Sequence, residues 1–173
     1  MFDLVLPTLA MMVVAAAFLA PESIAPGREL PHAPGWCGRA ILINLVQVAI
    51  TFATNHLWLD LLSGVSLLHL PDSRVPAAGI HRLVRRHFRL LLWHRVRHLP
   101  GFWVVFQQVH HSPARIEAMT AFYRHPVEIL TDSALAAAIM YPVLGSSLEG
   151  ALWFNFFAAA GELFFHANIR TPH

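Results

Sequence analysis

The feature that most constrains this chain is a run near its start, "LVLPTLAMMVVAAAFLA" (Leu4 to Ala20), which carries no charge at all. At ~1.5 Å per residue a helix of this length just reaches the ~17-residue lower limit for crossing a bilayer. A signal peptide would want a basic region before the apolar run, whereas this chain opens Met-Phe-Asp, so a retained membrane helix is the expectation. A second apolar segment, Ala40 to Leu62, carries Asn44, Gln47, Asn55 and His56, so one side of it is expected to face protein rather than lipid. Only 13% of the 173 residues are charged against 56% hydrophobic. Soluble domains carry about 25% charged residues, so the deficit points to a membrane protein.

Pro21 to Gly38 and Leu70 to Gly79 read as loops rich in Pro and Gly. Leu130 to Leu144 and Ala151 to Phe165 are apolar and are separated by the polar turn "GSSLEG", so they read as a helical hairpin through the bilayer. All 12 basic residues are Arg, and nine of them fall between Arg74 and Arg124, where Glu117 is the one acid. Positive residues collect on the cytoplasmic side of membrane proteins, which places that region inside and the Arg-free turn outside. The single cysteine, Cys37, cannot form an internal disulfide. A nucleic-acid role fits poorly, because apolar residues interrupt the arginines and spans flank them.

Twelve histidines are many for this length, and four stand in "WHRVRHLPGFWVVFQQVHHS": His94, His98, His110 and His111. His94 and His98, four apart, would share one helix face, and His110 and His111 follow Gln107 by about one turn. Imidazoles so placed can ligate a metal ion; imidazole suits Fe, Zn, Cu and Ni alike, and the lack of thiolates argues against a Cys-rich zinc site. Either motif alone is weak, and a basic loop whose histidines touch lipid headgroups is the plainer alternative. Ionisable groups at a membrane are costly to keep, which favours the functional reading of the cluster.

"HRVRH", "VHHSPARIEAMTAFYRHPVEIL" and "FFHANIR" together resemble the fatty acid hydroxylase / sterol desaturase superfamily, with the strongest likeness from Trp93 to Glu128 and further support from Gly161 to Arg170. The resemblance implies an all-α integral-membrane bundle with a histidine-rich cap on the cytoplasmic face, in a bacterial inner membrane. It further implies a di-iron centre that uses O2, and electrons from a donor protein, to hydroxylate or desaturate a lipid C–H bond. His94, His98, His110, His111 and His166 would be metal ligands, with His125 and Gln107 as weaker candidates. Arg124, Glu128 and Asn168 would orient the groups behind them. The chain would form one domain: membrane helices and loops over 1–79, histidine boxes over 80–128, and the hairpin with its His-x-Asn segment over 129–173.

Three departures from the family pattern set further expectations. Gln107 stands where the second box begins with His, and its amide oxygen is a poorer ligand for ferrous iron. The last histidine box does not follow "HANIRTPH", which leads to the expectation of a truncated, impaired enzyme. Ile80 to Leu92, "IHRLVRRHFRLLL", places four arginines where the family has an apolar span. Each would cost about 2.5–3.5 kcal/mol at bilayer depth. Codons read one nucleotide later over 79–92 can encode an apolar segment, so a local frameshift is one explanation. An amphipathic surface helix is the other, with Ile80, Leu83, Val84, Phe88 and Leu91 on its apolar face. Two rivals to the enzyme remain: an inactive membrane protein binding a single metal ion or serving as a partner subunit, and a metal-free basic protein of the membrane surface.

Overall fold

The computed structural model describes residues 2–62, 64, 66–67 and 95–170. The expectations for the loop before residue 80, the arginine-rich run 80–92 and His94 lie outside these residues.

Among the described residues every regular element is helical and there is no strand. Helix α1 runs Phe2–Ile24 and α2 runs Trp36–Leu62; both are long and apolar enough to cross a membrane. Their outer faces are what lipid would require. Leu9, Met12 and Val13 on α1, and Leu42, Leu45, Val48 and Phe52 on α2, stand more than half exposed. Water would penalise such a band of bare hydrocarbon at about 25 cal/mol per Å2.

Proline punctuates the shorter elements. Pro100 occupies the first turn of α3 (Pro100–Phe106), and Pro126 that of α4 (Pro126–Ala138). Its fixed φ and missing N–H cost nothing there, while the residue before it is driven extended. Leu99 and His125 accordingly show ψ of 145° and 139°. Helix α4 continues as a π-helical turn, Ile139–Val143, around Pro142, which cannot donate to the regular ladder. Gly145 then reverses the chain at φ 65°, a left-handed conformation that suits glycine. The Ser147 hydroxyl caps α5 (Leu148–His166) by accepting from Gly150 N–H at 3.1 Å.

Helix α1 packs along α5 and α2 along α4, while α4 and α5 themselves make little contact. The apolar hairpin expected between residues 130 and 165 therefore has its turn, but its arms separate to seat against different partners. A short 3-10 turn, Ala118–Phe122, is wedged between the two helix pairs. Small side chains permit this: Ala118 and Ala121 are buried with Leu163 of α5 against Met11, Val14 and Phe18 of α1. On the other side, Trp36 and Ala40 of α2 enclose Tyr123. The opposite end of the bundle is closed by Ala137, Met140, Tyr141 and Ala151 beneath Trp58 and Leu62.

Polar groups on α2 partly follow the expectation of a protein-facing side. Asn44 donates to Met119 C=O at 3.1 Å, and Thr54 accepts from Ser133, which itself accepts from the Trp58 indole N–H. His56 departs from it, being exposed beside the Phe52 ring.

Candidate metal centre

The histidines come together at the end of the bundle where α5 finishes. Helical turns continue past α3, with Gln107 N–H bonded to Trp103 C=O and His111 N–H to Gln107 C=O, both 2.9 Å. At that spacing Trp103, Gln107, His110 and His111 share one face. From the far side, His166 in the last turn of α5 meets His110 with 3.3 Å between their Nε2 atoms. The rings then run as a chain: His98 to His111 at 5.1 Å, His111 to His110 at 5.2 Å, and His110 to His166 at 5.2 Å between centroids. Of the five histidines expected as ligands, four therefore lie together; His94 is not among the described residues.

Protonation favours ligand chemistry. The His166 Nδ1 sits 2.8 Å from the Glu162 carbonyl, which can only accept, so Nδ1 carries the hydrogen. With Nδ1 so engaged, the Nε2 edge of His166 is turned to His110. Burial, reinforced by the Arg124 guanidinium and by His166 and His111, pushes His110 down to about 3, so its imidazole is neutral. Burial, then His98 and His166, lowers His111 as well.

These residues fit a metal ion in part. Ligand nitrogens about 2.0–2.1 Å from one ion and near a right angle to each other stand ~3 Å apart, close to the His110–His166 separation. Among the described residues, however, no three His, Cys, Asp or Glu side chains form a ready cage. Gln107 is 1% exposed, and among the described residues neither polar atom of its amide has a hydrogen-bond partner. A buried orphan amide costs about 1–3 kcal/mol, so a missing partner at this face is physically sensible. His125 is used differently, as the N-cap of α4, its Nδ1 accepting from Val127 N–H at 3.2 Å.

Behind the imidazoles lies a ladder of charge. Arg97 reaches Glu128 at 2.5 Å and Asp132 at 3.1 Å. Arg124 reaches the same Asp132 at 3.2 Å and Glu162 at 3.1 Å, and Glu162 stands one helical turn before His166. Glu162, Asp132 and Glu128 hold the Arg124 guanidinium above its ordinary value despite burial. Burial pushes the Glu128 carboxyl up to about 7, against the pull of Arg124 and Arg97. Arg124 and Glu128, expected as orienting groups, both lie in this ladder, and its connection to the helix of His166 passes through Asp132 and Glu162, which sequence reasoning missed. The i, i+4 spacings of Glu128 with Asp132 and of Glu162 with His166 were the available signal. Trp103 was missed too: its indole stacks on His111 at 24° and 5.1 Å and lies 5.3 Å from the His98 ring.

Asn168 acts on backbone. Its amide oxygen accepts from Arg28 N–H at 3.1 Å, its amide nitrogen donates to Arg28 C=O at 2.9 Å, and its own C=O accepts from Gly27 N–H. The buried Glu22 carboxylate accepts from both Asn168 N–H and Ala118 N–H. The segment that follows His166 is thereby fastened to the end of α1 and to the 3-10 turn.

Comparison with known proteins gives one result: the family model described as fatty acid hydroxylase matches residues 81–173, more than half of the chain. No curated protein and no solved structure matches.

Proposed function

This chain belongs to the fatty acid hydroxylase family, and from that membership we propose that it is a membrane-embedded, iron-dependent oxidoreductase acting on a lipid C–H bond. The observation that carries the reading is the His110–His166 pair: two imidazoles, 56 residues apart in sequence, with their Nε2 atoms 3.3 Å apart. His110 and His166 would hold iron, with His98 and His111 beside them and His94 completing the first box. Gln107 and His125 are the weaker candidates. Iron held there would supply the oxidising chemistry, with O2 and an electron-donor protein as co-reactants. The protein's own part is to half-bury His110, keep its imidazole neutral, and bring His166 to it from the end of α5.

The histidine end belongs on the cytoplasmic side. Arg28, Arg39, Arg95 and Arg170 are exposed there, whereas the turn at Gly145–Gly150 carries no Arg. Lipid would reach the site from the bilayer that surrounds the bare faces of α1 and α2.

A second reading, an inactive membrane protein that binds a single ion or serves as a partner subunit, is favoured by Gln107 in the second box and by the incomplete cage among the described residues. Metal analysis of the full chain purified from iron-supplemented cells separates the two. Two irons per chain with oxidised lipid in those cells supports the enzyme. One ion without product supports the second reading. A wild-type chain that binds no metal overturns the enzyme and leaves only the partner-subunit form of the second reading; metal content unchanged by His110→Ala and His166→Ala together overturns the assignment of the ion to this pair.

A further inference from the structure

At the histidine end a cavity of about 300 Å3 opens between the α1–α2 loop and the segment after His166. Its lining brings together Arg28, Arg170, Ile116, Phe165 and His166. Three properties of this lining point the same way. First, it includes no acidic side chain, and neither Arg28 nor Arg170 is ion-paired among the described residues. Arg28 also borders a second cavity with Glu22, Glu29 and Glu117, and among the described residues none of the three is ion-paired with it. Second, the two arginines are brought to one cavity by construction: Asn168 is hydrogen-bonded to the Arg28 backbone on both sides, and Arg170 follows two residues later. Third, the hydrocarbon beside them is bare, with Phe165 72% exposed and Ile116 50%.

Two unneutralised arginines at a membrane edge attract and bind an oxyanion, and Arg does so with paired N–H donors. A cavity of this size sits at the lower end of small-molecule sites, of about 300–1,000 Å3, and suits a headgroup rather than a whole lipid. Neighbouring exposed phenyl and branched aliphatic groups suit the first part of an apolar tail.

We propose that this cavity binds the anionic headgroup, carboxylate or phosphate, of a single-chain lipid through Arg28 and Arg170, with the tail leaving over Ile116 and Phe165. Its meaning for catalysis rests on the reading of His166 as a metal ligand, because the headgroup would be anchored in the cavity that His166 lines. The binding itself does not depend on that reading.

The test is isothermal titration of the purified full chain, in neutral detergent, with three ligands of identical tail: oleate, oleyl phosphate and oleyl alcohol. Wild-type protein is expected to bind at least one of the two anions roughly tenfold or more tighter than the alcohol. Preference for oleate alone identifies a carboxylate site, and preference for oleyl phosphate alone a phosphate site. Arg28→Gln with Arg170→Gln is expected to abolish the preference. Both side chains are exposed and the backbone bonds of residue 28 survive substitution, so the double variant retains the fold, as a wild-type circular dichroism spectrum will report. Arg39→Gln, exposed in the first turn of α2 and outside the cavity, keeps the preference. Equal affinity for all three ligands, or a preference that survives the double substitution, overturns the proposal. Iron content is read on the same samples. Absent iron with intact anion preference refutes the oxidoreductase and leaves the headgroup site standing; present iron without preference does the reverse.

Discussion

The Nε2 atoms of His110 and His166 approach to 3.3 Å across 56 residues of chain, and each imidazole reaches that point by a different route. One rides on the helical turns after α3, the other on the last turn of α5. Replacing either by alanine should remove bound iron almost completely while leaving helix content unchanged, since neither ring caps a helix. Metal analysis and circular dichroism on the same preparations check this. Retention of wild-type iron by either single variant counts against the pair as the centre.

Trp103 should hold two imidazoles in register. Its ring faces both His98 and His111, and an electron-rich indole favours an imidazole polarised by a bound cation. Trp103→Leu is expected to weaken metal binding by about 10–100-fold, the range typical of groups that orient ligands. Trp103→Phe should keep most of it. Cobalt titration followed by visible absorption reads both the affinity and the ligand geometry.

Arg124 joins Asp132 of α4 to Glu162 of α5, two helices that otherwise scarcely meet. Arg124→Leu should broaden or shift the cobalt spectrum and lower affinity by roughly 10–100-fold. Lysine, a point charge without a fork, should restore only part of it. An unaltered spectrum in the leucine variant would show that the bridge leaves His166 unaffected.

Glu128 gives a pH signature with a definite sign. Its folded value, about 7, lies above the ordinary 4.5, so folding takes up a proton between those values. Wild-type stability should therefore fall relative to Glu128→Gln as pH rises from about 5 to 7, and level off above. Thermal unfolding in detergent at several pH values measures the difference. Arg97→Leu should be far more damaging, by about 3–5 kcal/mol, because it strands buried carboxylate.

Gly27 lies against the backbone after His166. A Cβ there would meet the Ile169 carbonyl carbon and oxygen at 3.0 Å. Gly27→Ala should cost about 1–3 kcal/mol and, by displacing the segment that Asn168 fastens, reduce metal affinity more than an exposed Gly38→Ala control. Equal effects of the two substitutions would remove the fastening from the account.

Much of this arrangement was legible in the sequence. The apolar runs Leu4–Ala20 and Ala40–Leu62 anticipated α1 and α2, and the histidine spacing pointed to four residues that the fold brings together. The support behind the site was not legible, for physical reasons. Asp132 and Glu162 stand one turn from Glu128 and His166, a spacing as common on solvated helices as in buried ladders. Asn168 finds its partner 140 residues away, and nothing local to either residue announces the pairing. Trp103 lay within an apolar, aromatic stretch where one more ring carried no distinguishing mark.

The pairing of α1 with α5 bears on when the centre can exist. His166 is carried by the latest of these helices to be synthesised, and its seat is formed against the earliest. Until α5 has docked beside α1, His110 has His111 beside it but lacks the imidazole of His166. An ion held between His110 and His166 would thus require α5 already packed against α1, so that its retention would report that these two helices have met.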